Sequence, residues 1–294
     1  MARYQLIANP AAGRGKAVAA AYRAAGLFEQ RDATYALEFT DGPKHAAELA
    51  KHAVASGSTV VVIGGDGTVN EVLPGMLHSG IPLGIIPAGS GNDLIKSLAL
   101  PDNVERSVDI ILAGRTSLID CGTINGSPFV NVVGIGFDAA VNHISHNIGW
   151  PAGGLLRYLI ALIRTLGSYE KVRLKVTLDG DTREEDLFLL TIGNGTTCGG
   201  GFRLTPHAKL DDGVLDVTLV KPIRVLPLLW HLPKVFSGTL DRVGRYASMR
   251  TARKVRVESS GQVPVHVDGE IYAGDTSTME IEILPKALTV IGKF

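Results

Sequence analysis

The residues best suited to chemistry are Gly64-Gly65-Asp66-Gly67-Thr68-Val69-Asn70, directly behind the apolar run Val60-Val61-Val62-Ile63. A buried strand entering a glycine-rich turn and then a helix is an anion site. Absent side chains let backbone N–H groups approach a phosphate, and the helix start adds partial positive charge. Asp66 in that turn suits Mg2+, which takes few carboxylates alongside phosphate oxygens. The plainer reading is a tight turn with a capping Asp, but three glycines around one Asp exceed what a turn needs. Pro87-Ala88-Gly89-Ser90-Gly91-Asn92-Asp93 repeats the pattern: glycines, a hydroxyl, then a carboxylate opening a helix. Asn9-Pro10-Ala11-Ala12-Gly13 and Thr40 follow two further apolar runs, where singly they read equally well as turn residues. Neither common nucleotide motif is present. Pro10 stands where a Walker A loop needs its first Gly, Ala17 follows Lys16, and no G-x-G-x-x-G ends a strand.

These loops need a frame that brings them together. Over the first 120 residues strand and helix alternate: strands at Tyr4–Ala8, Thr34–Phe39, Thr59–Ile63 and Leu83–Ile86, helices at Lys16–Ala25, His45–Ser56 and Asn70–Leu77. Short apolar runs ending in Gly, Asn or Pro, with Ala-rich helices between, predict an α/β fold with a doubly wound parallel sheet. Such sheets bind ligands at the carboxyl ends of their strands, so the loops after Ala8, Phe39, Ile63 and Ile86 are the ones to watch. After about Asp120 the pattern turns β-rich and sandwich-like. Strands are predicted at Phe129–Val133, Arg173–Leu178, Leu187–Ile192, Leu215–Val220, Lys254–Val257 and Met279–Leu284, with one clear helix at Leu155–Leu166. We expect a nucleotide domain over 1–121, to which 285–294 returns, and a substrate domain over 122–284, the two sharing a cleft.

Composition narrows the partners. Lys+Arg and Asp+Glu are both 29 in 294 residues, so no whole-molecule field draws nucleic acid, and no recognition motif for it is present. Two distant cysteines, Cys121 and Cys198, fit a reducing cytoplasm better than a disulfide framework. The N-terminus reads as a strand rather than a signal peptide. The longest apolar stretch, Leu155–Leu166, is broken by Arg157 and Arg164 and falls short of the roughly 20 residues a bilayer span takes. A homodimer is allowed, though nothing requires it.

Gly64–Glu71 and the Ser90–Asp93 loop, taken with two later segments, resemble the diacylglycerol/sphingosine lipid kinases over nearly the whole chain. The later segments run from Gly199-Gly200-Gly201 to Leu210-Asp211-Asp212-Gly213-Val214-Leu215-Asp216 and through His266-Val267-Asp268-Gly269-Glu270. Gly-Gly-Asp-Gly-Thr alone is shared with NAD kinases; the later segments are more specific. The resemblance implies ATP contacts from Asn9–Gly13, Thr40, Gly64–Asn70 and Ser90, and a Mg2+ network of Asp66, Asp93 and Asp120. Ser90 replaces the family's usual Thr and keeps the hydroxyl, whereas Ala88 and Leu94 depart from its pattern. Glu270 would be the general base for the lipid hydroxyl, although a β-hairpin with an Asp-Gly turn and a solvated Glu explains that stretch too. A structural Mg2+ would sit on the Lys209 carbonyl, Asp212 and the Val214 carbonyl.

The lipid site is less legible. Val133–Ala139 matches a family segment lining the cleft. Leu155, Leu156, Leu159, Leu162, Ile163 and Leu166 fall at helical spacing, as ordinary core residues also do. Lys221–Arg256 carries nine Lys/Arg against the single acid Asp241, interleaved with Leu226, Leu228, Leu229, Trp230 and Phe236. That segment is either a dock for an anionic membrane or a solvated strand face under Lys and Arg stems. The leading expectation is a cytoplasmic, peripherally membrane-associated lipid kinase using ATP and Mg2+. Its alternatives are an NAD kinase-like phosphotransferase and a catalytically silent lipid- or nucleotide-binding protein.

Overall fold

The computed structural model describes residues 3–147, 154–166, 169 and 171–292. They divide into two compact units, residues 1–120 with 285–294 and residues 121–284.

The first unit carries strands Arg3–Ala8 (β1), Thr34–Phe39 (β2), Thr59–Gly64 (β3) and Leu83–Pro87 (β4). Its helices are Lys16–Gln30 (α1), His45–Ala55 (α2), Asp66–Met76 (α3), Asp93–Ser97 (α4) and Val104–Ala113 (α5). The strands pair in parallel in the order β2-β1-β3-β4. The chain moves from β1 outward to β2, then back past β1 to β3, so the order reverses between β1 and β3. Val60, Val61, Val62 and Ile63 are wholly buried, as a strand covered on both faces requires. The helix after β3 begins at Asp66, four residues earlier than the predicted Asn70. Gly65 is its extended N-cap, and Asp66 occupies the first turn, where a negative charge meets the positive end of the helix. α5 escaped the sequence reading, although Asn103 caps it by accepting from the Arg106 N–H.

The second unit is an antiparallel sandwich with helices on one side. Its strands are the end of Thr116–Ile124 (β5), Ser127–Phe129 (β6), Val132–Gly136 (β7), Val172–Leu178 (β8), Asp181–Leu187 (β9), Leu189–Gly193 (β10), Leu215–Val220 (β11), Ala247–Ala252 (β12), Lys254–Ser259 (β13), Val265–Val267 (β14), Glu270–Ile271 (β15) and the first part of Thr278–Ile291 (β16). One sheet runs β12-β11-β10-β7-β14-β15; β9, β8, β13 and β16 pair in turn to form the other. Val133, Ile135, Leu190, Ile192 and Val217 meet Leu174, Val176, Val255, Val257 and Ile281 in the core between them. Helices Phe137–Asn147 (α6), Gly154–Leu166 (α7) and Val225–Ser237 (α8) build a second core with Phe188, Leu189, Phe202 and Val220.

The sequence reading expected one helix in this unit, and α6 and α8 were not foreseen. α8 is apolar almost throughout, so it lacks the polar stripe that marks a surface helix. β9 was missed because Asp-Thr-Arg-Glu-Glu-Asp-Leu has little apolar surface; its charges pair across to β8 instead. The strand predicted over Phe129–Val133 is two strands broken at Val130-Asn131, where another carboxylate takes the backbone N–H groups. β16 is shared between the units. Met279–Glu282 pairs antiparallel with β13, whereas Val290 lies parallel to Leu83 of β4.

Candidate active site

The reversal between β1 and β3 is where a doubly wound sheet opens a crevice for a ligand, and the first two loops meet there. The Asn9 N–H donates to the Ile63 carbonyl at 3.1 Å. The Asn9 side chain accepts from the Ala11 N–H at 3.0 Å and donates to Thr68 Oγ1 at 3.2 Å, joining the first loop to α3. Pro10 and Ala11 thus form the arch of an Asx turn. Ala12 enters a single helical turn over Ala12–Gly15, in which Gly13 takes φ +58°. A Cβ on Gly13 would stand 2.0 Å from the Ala88 carbonyl oxygen, so only glycine lets this loop lie against the third. Thr40 is buried and donates its N–H to the Ala8 carbonyl at 2.9 Å.

Asp66 ties the second and third loops together. Its Oδ2 accepts from the Asp93 N–H and its Oδ1 from the Leu94 N–H, both at 3.1 Å, so one carboxylate in the first turn of α3 caps the start of α4. A Cβ on Gly91 would lie 3.1 Å from Asp66 Oδ2 and 3.5 Å from Asp93 Oδ2, so both carboxylates border the bare backbone of that glycine. Lys96 pairs with Asp93 at 3.3 Å and donates to the Gly91 carbonyl at 2.7 Å. A Cβ on Gly65 would come within 2.9 Å of Gly89 Cα, and one on Gly89 within 2.5 Å of Gly65 Cα. Gly64, Gly67 and Val69 complete the second loop and the first turns of α3. Beyond them the Asn70 Oδ1 is buried with no partner among the described atoms. Ser90 is exposed at the crest of the third loop. Asp120 is wholly buried on β5, its Oδ1 accepting from the Lys286 N–H at 2.7 Å. The strand-end loops therefore assemble a glycine-lined surface with two carboxylates at its edge, and a donor set of that kind would fit a Mg2+–nucleotide.

In the second unit, Val267-Asp268-Gly269-Glu270 is the tight hairpin between β14 and β15. Val267 pairs with Glu270, and Asp268 and Gly269 take φ +48° and +87°. Positive φ at both central residues is the two-residue turn that Asp-Gly favours. Asp268 does more than turn the chain. Its Oδ2 accepts from the Val130 N–H at 2.9 Å, and its Oδ1 from the N–H groups of Asn131 at 2.9 Å and Val132 at 2.6 Å. Burial pushes its carboxyl upward, opposed by these three donors and by His266. The Asn142 side chain donates to the Gly269 carbonyl at 2.8 Å. Glu270 stands exposed beside this anchored turn. Behind it, His266 Nε2 lies 3.4 Å from Asp138 Oδ2. A Cβ on Gly134 would fall 2.2 Å from that nitrogen. Sequence reasoning read Asp268 only as a turn residue and missed its anchoring role and the His266–Asp138 pair, because their partners are some 130 residues away or hidden behind a glycine.

Lys209, Asp212 and Val214 lie in the loop before β11. Lys209 and Asp212 are exposed, and Asp212 Oδ1 accepts from the Val214 N–H at 3.3 Å. Burial and the Asp212 charge push the neighbouring Asp216 up to about 6, with His207 and Lys209 opposing. Among the described residues no group of three or more His, Cys, Asp or Glu side chains is placed to hold a metal, so a cation here would depend on the Lys209 and Val214 carbonyls beside Asp212.

Four cations of the basic stretch Lys221–Arg256 are paired with carboxylates on other strands. Arg250 pairs with Asp181 at 3.4 Å, Lys254 with Glu282 at 2.9 Å, Arg256 with Glu280 at 2.7 Å and Lys221 with Glu185 at 3.7 Å. On α7, Leu162 is buried, Leu166 half-buried and Ile163 68% exposed; the side chains of Leu155, Leu156 and Leu159 lie outside the described residues. No helix among the described residues is long and apolar enough to cross a membrane.

Comparison with known proteins matches residues 3–124 to the diacylglycerol kinase catalytic domain and residues 131–292 to the YegS C-terminal NAD kinase beta sandwich-like domain. A diacylglycerol kinase of Mycobacterium tuberculosis is 36% identical over 97% of this chain and 93% of its own length. One from Bacillus subtilis is 27% identical over 93% and 91%. The crystal structure of a diacylglycerol kinase from Bacillus anthracis superposes with a TM-score of 0.76 over 99% of this chain and 97% of its own. At 24% identity that likeness speaks to the fold. With glycine-lined strand ends, an anchored Asp-Gly-Glu hairpin and two family models in tandem, the chain belongs to the diacylglycerol-kinase-type lipid kinases, phosphotransferases with an alcohol acceptor.

Proposed function

We propose that the protein transfers the γ-phosphate of ATP, with Mg2+, to the hydroxyl of a diacylglycerol or similar lipid. The observation that carries this reading is Asp66: it opens α3 at the sheet's reversal point, and its carboxylate holds the start of the Ser90–Asp93 loop. Phosphoryl transfer asks a protein chiefly for positioning and charge neutralisation. Bound Mg2+ supplies the second of these on the phosphate oxygens. The glycine-rich start of α3 within Gly64–Asn70 cradles the phosphates with backbone N–H groups and the helix's positive end, and the Asn9–Gly13 loop and the Thr40 and Ser90 hydroxyls border them. Asp66 and Asp93 hold the metal, with buried Asp120 completing its network. Glu270, held in place by the Asp268 anchor, takes the proton from the lipid hydroxyl as the new P–O bond forms and the bond from the γ-phosphorus to the bridging oxygen breaks, releasing ADP. Lys209, Asp212 and Val214 hold a second, structural Mg2+. We further propose a cytoplasmic enzyme that works at an anionic membrane surface.

Incubation with γ-labelled ATP, Mg2+ and a panel of diacylglycerol, phosphatidylglycerol, sphingosine, ceramide and NAD tests the reading. Label in a lipid supports it and names the acceptor. Label in NAD alone would replace it with the nucleotide-kinase alternative, and label in neither would favour a silent binding protein.

A further inference from the structure

α8 is apolar on both of its sides. Leu228, Leu232 and Val235 pack on the second unit's helix-side core. The opposite face presents Leu226 at 81% and Trp230 at 80% exposure, flanked by Val225 and Leu229 at 45% each. A helix that is hydrophobic all round belongs in a core or against another apolar phase. Leu226 and Trp230 are i and i+4, so they stand side by side, and Trp favours the membrane–water interface. The charge around this face is predominantly positive. α8 contains no Asp or Glu; exposed Arg224 precedes it, Lys234 lies in its last turn, and exposed Arg242 and Arg245 follow, against the single exposed acid Asp241. This contrasts with the sheet face, where Arg250 and Lys254 are matched by carboxylates.

We infer that α8 is the membrane-docking element: its Leu226–Trp230 face enters the interface of an anionic bilayer while Arg224, Arg242 and Arg245 meet the lipid headgroups. An apolar strip rimmed by cations is complementary to that surface. The inference rests on the lipid-kinase reading for its purpose but makes its own prediction about binding.

The test uses the full chain and vesicles of phosphatidylglycerol mixed with phosphatidylcholine, with phosphatidylcholine alone as the uncharged control. In a Trp150→Phe background Trp230 is the sole tryptophan, and its emission should shift to the blue on the anionic vesicles and much less on the neutral ones. The double variant Leu226→Ser/Trp230→Ser should lower vesicle partitioning at least about tenfold, since two large side chains lose their apolar burial. Arg250→Gln/Lys254→Gln should bind as wild type does. Unchanged binding by the Leu226/Trp230 variant would overturn the inference. So would a wild-type dimer that the variant dissolves without loss of vesicle binding, because the face would then belong to a second copy of the chain. Turnover of a short-chain, water-soluble diacylglycerol separates the two proposals. If soluble turnover persists while variant and wild type bind vesicles alike, docking by α8 is refuted and the kinase reading stands. If no lipid is phosphorylated but binding depends on Leu226 and Trp230, the docking stands and the kinase reading falls.

Discussion

Asp268 sets the geometry beside the proposed base, and its replacement has a cost that follows from its contacts. Asp268→Ala removes one carboxylate that accepts from the N–H groups of Val130, Asn131 and Val132. A buried N–H left without a partner costs about 1–3 kcal/mol, so three would cost roughly 3–9 kcal/mol if nothing moved. Two effects pull this down: the strand ends relax, and the burial penalty that pushes the carboxyl upward is no longer incurred. A loss of about 3–5 kcal/mol remains, the usual scale for breaking one side of a buried charged pair. Asp268→Asn is gentler. Its oxygen retains the two bonds to Asn131 and Val132, its NH2 confronts only the Val130 donor, and Asn tolerates the φ of +48°. We expect about 1–2 kcal/mol. For a domain of this size 1 kcal/mol moves Tm by about 2–4 °C, so calorimetry should show drops of roughly 2–8 °C for Asn and 6–20 °C for Ala. Asp268→Gly, which relieves the backbone and keeps no hydrogen bond, should fall near Ala. If Asn and Ala melt together within a degree of wild type, the anchor does not carry the hairpin and the reasoning is wrong.

Asp66→Asn should abolish phosphoryl transfer while the protein stays folded, with a stability loss of about 1 kcal/mol from the weakened cap on α4; near-normal turnover alongside an unchanged melt would remove Asp66 from the mechanism. Glu270→Gln should lower kcat by roughly 100-fold or more, the scale for losing a general base, with ATP affinity held in a binding titration. A decrease of only a few-fold would move the proton to another acceptor. Gly89→Ala forces a methyl to within 2.5 Å of Gly65 Cα, so overpacking of about 1–3 kcal/mol and weaker ATP binding are expected together; wild-type affinity would mean the two loops part without consequence for the nucleotide.

The parallel sheet and its loops were legible because they rest on local signals: apolar runs of strand length, glycines at their ends, a carboxylate opening a helix. The start of α3 was misjudged by four residues because Gly-Asp-Gly reads as loop, whereas an extended Gly65 lets the helix begin on Asp66. The second unit was harder. β9 pairs with β8 through its backbone ladder, with exposed charge pairs across it in place of apolar alternation, and α8 carries apolar residues on the side away from the core. Asp268 was visible as a turn residue, but its three donors lie in a segment far away in sequence, a kind of information no local pattern holds. Among the cations from Lys221 to Arg256, the pairing of Lys221, Arg250, Lys254 and Arg256 was hidden because their acidic partners sit on other strands, at Glu185, Asp181, Glu282 and Glu280.

β16 also bears on how the protein is made. The first unit's sheet gains its β4 neighbour from Val290, and the Lys286 N–H that meets Asp120 comes from the same strand. During synthesis the nascent first unit therefore leaves the ribosome with β4 as an open edge and waits through more than 160 residues for its closing strand. An unpaired parallel edge is a template for the wrong partner. The second unit, contiguous in sequence from 121 to 284, can fold while that edge is still exposed. Once Met279–Glu282 has paired with β13, Val290 follows within the same strand, which shortens the time in which the edge is at risk.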